Sequence, residues 1–295
     1  MKRSVQHKKM YVKSPMNYIG GKFRLLEQIL PLFPKDIDCF VDLFAGGCNV
    51  SINVSANKIF CNDNLFYIID LYDYFKLTPL SFVLEQIQLG IKQYGLSKTN
   101  EEGYMALRSD YNTKKDPILF FLLICYSFNH QVRYNSSHCF NTPFGKDRSQ
   151  YNYKIEENLI SFVDIIKEKD VIFSKNDFRN FDFSILTEKD LVYCDPPYLI
   201  TTGSYNDGKR GFNGWGRNDE ASLLALLDDI DGKGIRFALS NVLCHKGKEN
   251  ELLLNWIGER KYNVHHLSMN YANSSYHYAN AENRSSDEVL ITNYK

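Results

Sequence analysis

Short apolar runs alternate with amphipathic stretches along most of this chain. Apolar runs bounded by turn residues predict buried strands, here at residues 39–44, 58–63, 171–174, 191–194, 235–240, 264–269 and 288–292. Helical spacing predicts helices in most of the intervals, among them 219–230 and 248–259. No helix is predicted between the last two strands, which indicates an antiparallel hairpin. This alternation is typical of an α/β protein with a mostly parallel sheet.

The pattern changes between residues 73 and 154. Helical spacing begins at Leu80 and recurs near 101–111, and residues 118–128 are apolar on every side, as in a buried helix. Two irregular polar, aromatic and basic stretches follow, at 129–135 and 141–148. We therefore predict a helical insertion, 73–154, that presents a recognition loop and interrupts a discontinuous domain of residues 14–72 and 155–295.

Three polar motifs stand at the ends of predicted elements. Ala45-Gly46-Gly47 follows the first strand and predicts a tight turn into a helix, but it lacks the GxGxxG fingerprint of a dinucleotide-binding dehydrogenase. Asp63 ends the second strand, where an acid usually holds a ribose diol. Gly20-Gly21-Lys22 precedes a predicted helix, whose free N–H groups suit an anion.

The motif Asp195-Pro196-Pro197-Tyr198 comes directly after the apolar run 191–194. Proline has no N–H and fixes its own φ, so the strand must end there in a rigid turn. A carboxylate, a free proline carbonyl and an aromatic face are then held together. Such a set can accept two hydrogen bonds from an exocyclic amine and stack on the ring that bears it. The alternative interpretation is a plain strand-terminating turn.

Composition narrows the class of protein. The 295 residues predict one large domain or two, and the longest apolar run, 118–126, is too short to span a membrane. No apolar signal core follows the basic N-terminus, so we expect a cytoplasmic protein. The seven cysteines include no Cys-x-x-Cys pair, so neither a metal site nor a disulfide framework is predicted. Net charge is zero, but residues 1–35 hold eight Lys and Arg against one acid, and residues 1–13 are expected to form a flexible basic arm.

Taken together, the motifs resemble those of the Dam-type DNA adenine-N6 methyltransferases of the D12 class, particularly the phage enzymes. The resemblance covers about residues 16–292 and rests on these segments in order: Asn-Tyr-Ile-Gly-Gly-Lys at 17–22, Val-Asp-Leu-Phe-Ala-Gly-Gly at 41–47, Cys-Asn-Asp-Asn at 61–64, Asn-Thr-Pro-Phe-Gly-Lys at 141–146, Val-Tyr-Cys-Asp-Pro-Pro-Tyr at 192–198 and Leu-Ser-Asn-Val-Leu at 239–243. Two departures are present. Cys48 stands where many relatives have a third glycine, and Asp147 comes before Arg148 where relatives tend to have a basic residue.

The resemblance implies a Rossmann-like, seven-stranded sheet that depends on S-adenosylmethionine, with an inserted helical target-recognition domain. Its implied catalytic residues are Asp195, Pro196, Pro197 and Tyr198. The Asp195 carboxylate and the Pro196 carbonyl would each accept one N6–H of a flipped-out adenine, on which Tyr198 would stack. The residues it implies for the cofactor pocket are Tyr18, Lys22, Phe44, Ala45, Gly46, Asp63, Asp177 and Asp195.

The implied partner is double-stranded DNA, typically at GATC, with no obligatory protein partner and a monomer or weak dimer. Basic side chains can contact phosphates or guanine edges, Asn and Gln can contact adenine, and Phe128 or Tyr134 could wedge into a base stack. The predicted DNA-contacting residues are Phe128, Asn129, Gln131, Arg133, Asn135, Pro143, Lys146 and Arg148.

Other functions stay open at this stage. Methyltransferases that act on RNA or on protein glutamine use a related Asn/Asp-Pro-Pro-Tyr, and a non-catalytic DNA-binding protein on the same fold is a third interpretation. The insertion with its Pro-Phe-Gly-Lys loop favours DNA, and intact Tyr18, Lys22, Asp63 and Asp195 favour catalysis. A role in restriction, in phage self-protection or in repair marking is not distinguished.

Overall fold

A computed structural model describes residues 11–17, 20–201, 214–268 and 286–295 of the chain. Within these ranges one sheet contains eight strands. They are β1 (Cys39–Asp42), β2 (Lys58–Asn62), β3 (Asp170–Ser174), β4 (Leu191–Cys194), β5 (Arg236–His245), β6 (Lys248–Glu249), β7 (Asn263–Leu267) and β8 (Asp287–Thr292).

The sheet has the order β3-β2-β1-β4-β5-β8-β7, and the short β6 pairs with the end of β5. Strands β3, β2, β1, β4 and β5 are parallel, whereas β8 is antiparallel to both β5 and β7. The predicted α/β, Rossmann-like fold and the antiparallel pairing of the last two strands are thus confirmed, whereas the short β6 adds an eighth strand to the seven predicted. All four residues of β4 are buried, as expected for a strand covered on both faces by helices.

Eight α-helices accompany the sheet in the described part of the chain. They are α1 (Leu26–Ile29), α2 (Phe66–Leu77), α3 (Leu80–Tyr94), α4 (Glu101–Lys114), α5 (Pro117–Tyr126), α6 (Tyr153–Glu168), α7 (Arg217–Gly232) and α8 (Glu251–Arg260). Side-chain caps begin four of them, since Asn100, Asp116, Asn152 and Asn250 accept hydrogen bonds from first-turn N–H groups.

Two predicted helices take a different form. The stretch after Gly47 is a series of turns, in which the Asn53 side chain donates to the Asn49 carbonyl at 2.8 Å and the Asn53 N–H bonds to Val50 instead. The helix expected after Lys22 is broken into α1 and two flanking 3-10 turns. Pro31 lies in the second of these turns, where it has no N–H to continue an α-helix.

The helical insertion packs directly onto the sheet domain. Phe75 of α2 meets Phe121 of α5 edge-on with 5.5 Å between ring centroids, and Tyr72 of α2 lies 5.2 Å from Phe162 of α6. Helix α2 itself runs through the predicted boundary at residue 73. The two units therefore share one hydrophobic core, and their division at residues 72 and 154 stays a prediction.

The predicted basic arm lies outside the described residues up to residue 10. Beyond that point Val12 exchanges two hydrogen bonds with the Asn53 side chain, at 2.9 and 2.7 Å. Among the described residues, every helix is too short or too polar to cross a membrane.

The shared core predicts that the insertion and the sheet unfold together. Phe121→Ala removes a fully buried ring at their junction and should lower the free energy of unfolding by about 3–5 kcal/mol. Phe82→Ala is the matched control, because that ring on α3 is 46% exposed. Chemical denaturation followed by circular dichroism should show one transition that moves for Phe121→Ala; two separate transitions would contradict a shared core.

Candidate active site

A cavity of about 550 Å³ opens at the carboxyl ends of the central parallel strands. This is the edge at which open α/β sheets bind ligands, and its size suits a small-molecule site. The wall is formed by the turns after β1, β2 and β4, by the segment 20–22 and by part of the insertion. The main sequence motifs therefore converge on one space.

The glycine turn after β1 is held by Asp63 at the end of β2. The Asp63 carboxylate accepts hydrogen bonds from the backbone N–H groups of Leu65 and Gly46, both at 2.8 Å. Gly46 has a φ of 45°, a left-handed conformation that costs glycine little, and its carbonyl accepts a bond from the Tyr72 hydroxyl. Burial raises the pKa of Asp63, and its two N–H donors oppose that rise. Asp63 thus fixes the turn while facing the cavity.

The turn after β4 is held by a buried lysine. Lys22 is 5% exposed, and its Nζ lies 2.7 Å from Asp195 Oδ1 and 2.8 Å from Asp195 Oδ2. The same Nζ donates to the Gly20 carbonyl at 2.8 Å and stands 5.0 Å from the centroid of the Tyr198 ring. Lys22 therefore ties the segment before α1 to Asp195 and Tyr198.

A second carboxylate completes this cluster from strand β8. Glu288 Oε1 lies 3.5 Å from Lys22 Nζ and 3.1 Å from the Tyr198 hydroxyl, which is also 3.1 Å from Asp195 Oδ1. Burial raises the pKa of Asp195, the Lys22 ammonium lowers it through charge and hydrogen bonding, and the charge of Glu288 raises it again. Asp195 is thus a largely buried carboxylate whose ionised form depends on its neighbours.

Asp42, the last residue of β1, is a further buried acid on the cavity wall. The Ser51 hydroxyl donates to its Oδ2, but among the described residues no group donates to its Oδ1. Burial raises the pKa of Asp42 to about 7, and the charges of Asp195 and Asp63 add to that rise. A buried carboxylate oxygen that lines a cavity without a partner is a candidate acceptor for a ligand's N–H or ammonium group.

Three aromatic rings form an apolar wall beside these acids. Phe44 lies 5.4 Å from Phe178 and 5.6 Å from Trp215, measured between ring centroids. The Trp215 indole N–H donates to Glu220 at 2.8 Å, which fixes the orientation of the ring. Asp177 stands next to this wall, where its carboxylate is bound at 3.0 Å by the Arg179 guanidinium. The wall suits a flat aromatic ligand group.

Two loops of the insertion lie side by side, and residues 130 and 132–134 of the first line the cavity. The Phe128 N–H donates to the Pro143 carbonyl at 2.8 Å, and an antiparallel bridge joins Ser127 to Phe144. The Phe128 ring is 37% exposed. The Arg148 guanidinium lies over its face, 4.9 Å from the ring centroid. The two stretches predicted as recognition loops thus form one exposed surface next to the pocket.

The other residues predicted to contact DNA differ in exposure. Asn129, Pro143 and Lys146 are exposed, whereas Gln131 and Arg133 are half-buried and joined by a 2.5 Å hydrogen bond. The Asn135 carboxamide oxygen already accepts two backbone N–H groups of its own loop, from Ser137 and Cys139.

Tyr134, the alternative wedge residue, is 2% exposed. Its ring stacks on Tyr67 at 4.4 Å and its hydroxyl bonds to Tyr111. It cannot reach a base stack without unpacking this cluster, so that alternative is wrong in this structure and Phe128 is the exposed ring.

The predicted cofactor and catalytic residues line this cavity wherever they are described: Lys22, Phe44, Ala45, Gly46, Asp63, Asp177, Asp195, Pro196, Pro197 and Tyr198. Tyr18 lies outside the described residues, as do residues 202–213 between β4 and α7. Asp42, Trp215 and Glu288 were not among the residues predicted from the sequence. Asp42 could have been predicted, because it is an acid near the end of the first apolar run. Nothing in the local sequence around Glu288 indicates a site residue.

Comparison with known proteins agrees with this geometry. Residues 18–273 match the family described as D12 class N6 adenine-specific DNA methyltransferase, and the chain belongs to that family. It is 54% identical over 284 residues to the Type II methyltransferase M.FokI of Planomicrobium okeanokoites, covering 96% of this chain and 43% of that protein. It is 50% identical over 291 residues to the modification methylase StsI of Streptococcus sanguinis, covering 99% of this chain and 44% of that protein.

A more distant relative is the DNA adenine methylase of Salmonella typhi, with 28% identity over 231 residues, 77% of this chain and 79% of that protein. The chain therefore spans less than half the length of its type II and modification-methylase relatives M.FokI and StsI, but most of a DNA adenine methylase. A methyltransferase family implies a methyl donor, and the cavity is the candidate place for it.

The raised pKa of Asp42 predicts a pH-dependent loss of stability. A carboxyl group with a pKa of about 7 in the folded protein and about 4 when unfolded destabilises the fold as pH rises through that window, by up to about 4 kcal/mol. The free energy of unfolding of the wild type should therefore fall relative to that of Asp42→Asn between about pH 4 and pH 8.

Urea denaturation of both proteins across this pH range measures the difference. Asp229→Asn, at an exposed position on α7, controls for the loss of one charge. A difference between wild type and Asp42→Asn that does not change with pH would contradict the assignment of a titrating buried carboxyl at Asp42.

Proposed function

We propose that this chain transfers a methyl group from S-adenosylmethionine to N6 of an adenine in duplex DNA. The observation that carries the proposal is that one cavity adjoins the Asp195–Tyr198 turn, the Asp63-bound glycine turn and residues 130–134 of the insertion. A donor pocket, an amine-binding turn and an exposed polar surface at the same edge suit methyl transfer to a nucleic-acid base. Family membership supports the same reaction.

The residues present fit S-adenosylmethionine. The unpartnered Oδ1 of Asp42 is an acceptor for an ammonium group, Asp63 for hydroxyl groups, and the Phe44, Phe178 and Trp215 wall offers contact for an aromatic base. When bound, the cofactor supplies a methyl group on a positively charged sulfur. The three carboxylates of the cavity, Asp42, Asp63 and Asp195, give it an acidic lining that suits a cation.

Asp195 and Pro196 would bind the amine that receives the methyl group. Hydrogen bonds from N6–H to the Asp195 carboxylate and the Pro196 carbonyl aim the nitrogen lone pair along the transfer direction, a matter of positioning and electrostatics. The ionised carboxylate is the stronger acceptor of these hydrogen bonds. Lys22, at 2.7 and 2.8 Å, favours that ionised form.

The base must leave the duplex for its N6 to reach this pocket. Tyr198, whose hydroxyl is tethered at 3.1 Å, offers a ring fixed in place for the extruded base to stack on. Exposed Phe128 with Arg148 on its face is suited to fill the space left in the base stack, and Lys146 to contact phosphate.

We also propose a target sequence and a biological role for the chain. Resemblance to Dam-type enzymes favours GATC. The higher identity to proteins named as a type II methyltransferase and a modification methylase favours a role in restriction–modification, with a site set by that system. The loop that would decide between them includes Asp147, which has a φ of 61° and places Arg148 against Phe128.

Asp195→Asn tests the reaction. The amide keeps the shape of the carboxylate but loses its charge and one acceptor, so methyl transfer to duplex DNA should fall by at least about 100-fold. The assay is transfer of labelled methyl from S-adenosylmethionine, with gel-shift binding of the same DNA in parallel. Asp182→Asn, at an exposed cap away from the cavity, is the control and should keep activity. Undiminished transfer by Asp195→Asn, or labelling of RNA or protein rather than DNA by the wild type, would contradict the proposal.

Methylation-sensitive sequencing of DNA treated with the chain tests the target. We expect N6-methyladenine at one short recurring sequence, and GATC is the sequence that the Dam-type resemblance predicts. Marks confined to a different sequence would reject GATC and keep the reaction, whereas the absence of any recurring sequence would contradict site-specific recognition.

A further inference from the structure

Glu288 lies behind the catalytic turn and does not itself line the cavity, yet it contacts two of the residues that do. We propose that Glu288 is a positioning residue. It accepts the hydrogen bond of the Tyr198 hydroxyl and so leaves Asp195 Oδ1 open for the amine of the substrate. This inference rests on the proposed function, because it assigns Asp195 the task of binding that amine.

The Tyr198 hydroxyl is shared between two carboxylates. Its oxygen lies 3.1 Å from Asp195 Oδ1 and 3.1 Å from Glu288 Oε1, but it carries a single proton. A hydroxyl donates one full hydrogen bond, so the proton can serve either carboxylate well but not both. The two equal distances give the hydroxyl two acceptors, and rotation of the O–H bond directs the proton to one or the other.

Asp195 already accepts several hydrogen bonds in this state. The Lys22 ammonium reaches both of its oxygens, and Tyr198 adds a third contact at Oδ1. A carboxylate has about four lone-pair positions, so an incoming N6–H competes for the remaining space. When the Tyr198 hydroxyl donates to Glu288 instead, Asp195 Oδ1 loses one hydrogen bond that would compete with the N6–H group. The hydroxyl still has an acceptor in Glu288.

The sheet holds Glu288 in the right place for this exchange. It is the second residue of β8, paired in register with Val242 of β5 and Leu267 of β7, and it is 9% exposed. Its neighbour Asp287 points the other way and bonds to His266. Glu288 therefore faces the catalytic cluster from a strand fixed on both sides.

Glu288 also changes the charge around Asp195. The groups facing Asp195 are the Lys22 ammonium, Glu288, the hydroxyls of Tyr198 and Tyr193, and Asp42. Lys22 stands 3.5 Å from Glu288, so the two carboxylates share one cation. Without Glu288, Asp195 would be the one carboxylate of this cluster that the Lys22 ammonium and the Tyr198 hydroxyl contact.

Glu288→Gln tests the inference in steady-state methylation of duplex DNA. The neutral amide is a weaker acceptor and its own N–H can donate to the Tyr198 oxygen, which keeps the hydroxyl proton on Asp195. We expect kcat to fall about tenfold or more, with little change in KM for DNA or S-adenosylmethionine. We also expect the acid limb of the kcat profile to move to lower pH, because the charge of Glu288 raises the pKa of Asp195. Glu249→Gln, at an exposed position on β6, is the matched control.

A double-mutant cycle with Tyr198→Phe separates this mechanism from a loss of structure. Without the hydroxyl there is no proton to redirect, so Glu288→Gln should cost less in the Tyr198→Phe background than in the wild type. Thermal denaturation and cofactor binding identify a variant that has failed to fold. Glu288→Asp keeps the negative charge and should therefore have a higher kcat than Glu288→Gln.

Equal kcat for Glu288→Gln and wild type, an unmoved acid limb, or additive costs in the cycle would overturn the inference while leaving the proposed function intact. A wild type that methylates no DNA would instead overturn the proposed function.

Discussion

The ion pair between Lys22 and Asp195 is the interaction on which the organisation of the site depends. Burying an ammonium and a carboxylate is costly unless each is paired and hydrogen-bonded, and here the cation is nearly enclosed. The pair joins the segment before α1 to the turn after β4, and Glu288 adds the antiparallel strand β8 to the same cluster. Three parts of the chain that are distant in sequence are thereby fixed relative to one another. Loss of one partner would leave a buried charge, so the cluster is both a structural junction and a constraint on the chemistry available to Asp195.

The sheet order places this cluster beside the second half of the pocket. Strand β1 lies between β2 and β4, and parallel strands bring their carboxyl ends to one edge, so Asp42, Asp63 and Asp195 are neighbours although they come from three strands. Hydrogen bonds from Gly46 and Leu65 then fix Asp63 against the glycine turn. The glycine turn and the Asp195–Tyr198 turn are consequently positioned by backbone geometry, while residues 130–134 of the insertion add to the cavity wall.

Much of this could be predicted from the sequence, for physical reasons. The strand before Asp195 is a continuous apolar run, and two prolines can only end it, so both the strand and the turn were predictable. Asp63 was predictable from its place at the end of a strand. The predicted helix after Gly47 was wrong, because the Asn53 side chain bonds to the Asn49 carbonyl that a helical N–H would use. Glu288 was not predictable, since it meets Tyr198 across 90 residues of sequence and only the pairing of β8 with β5 and β7 brings it there. The burial of Tyr134 likewise depends on packing against Tyr67 and Tyr111, which a polar loop sequence does not reveal.

The central claim is that the carboxylate of Asp195 receives an adenine amine and directs methyl transfer to it. Mass spectrometry of the deoxynucleosides from duplex DNA, after incubation with the chain and methyl-labelled S-adenosylmethionine, tests this most directly. The account predicts that the label appears in N6-methyldeoxyadenosine. Label in a methylated cytosine, or no labelled deoxynucleoside at all from DNA that contains many candidate sites, would contradict it.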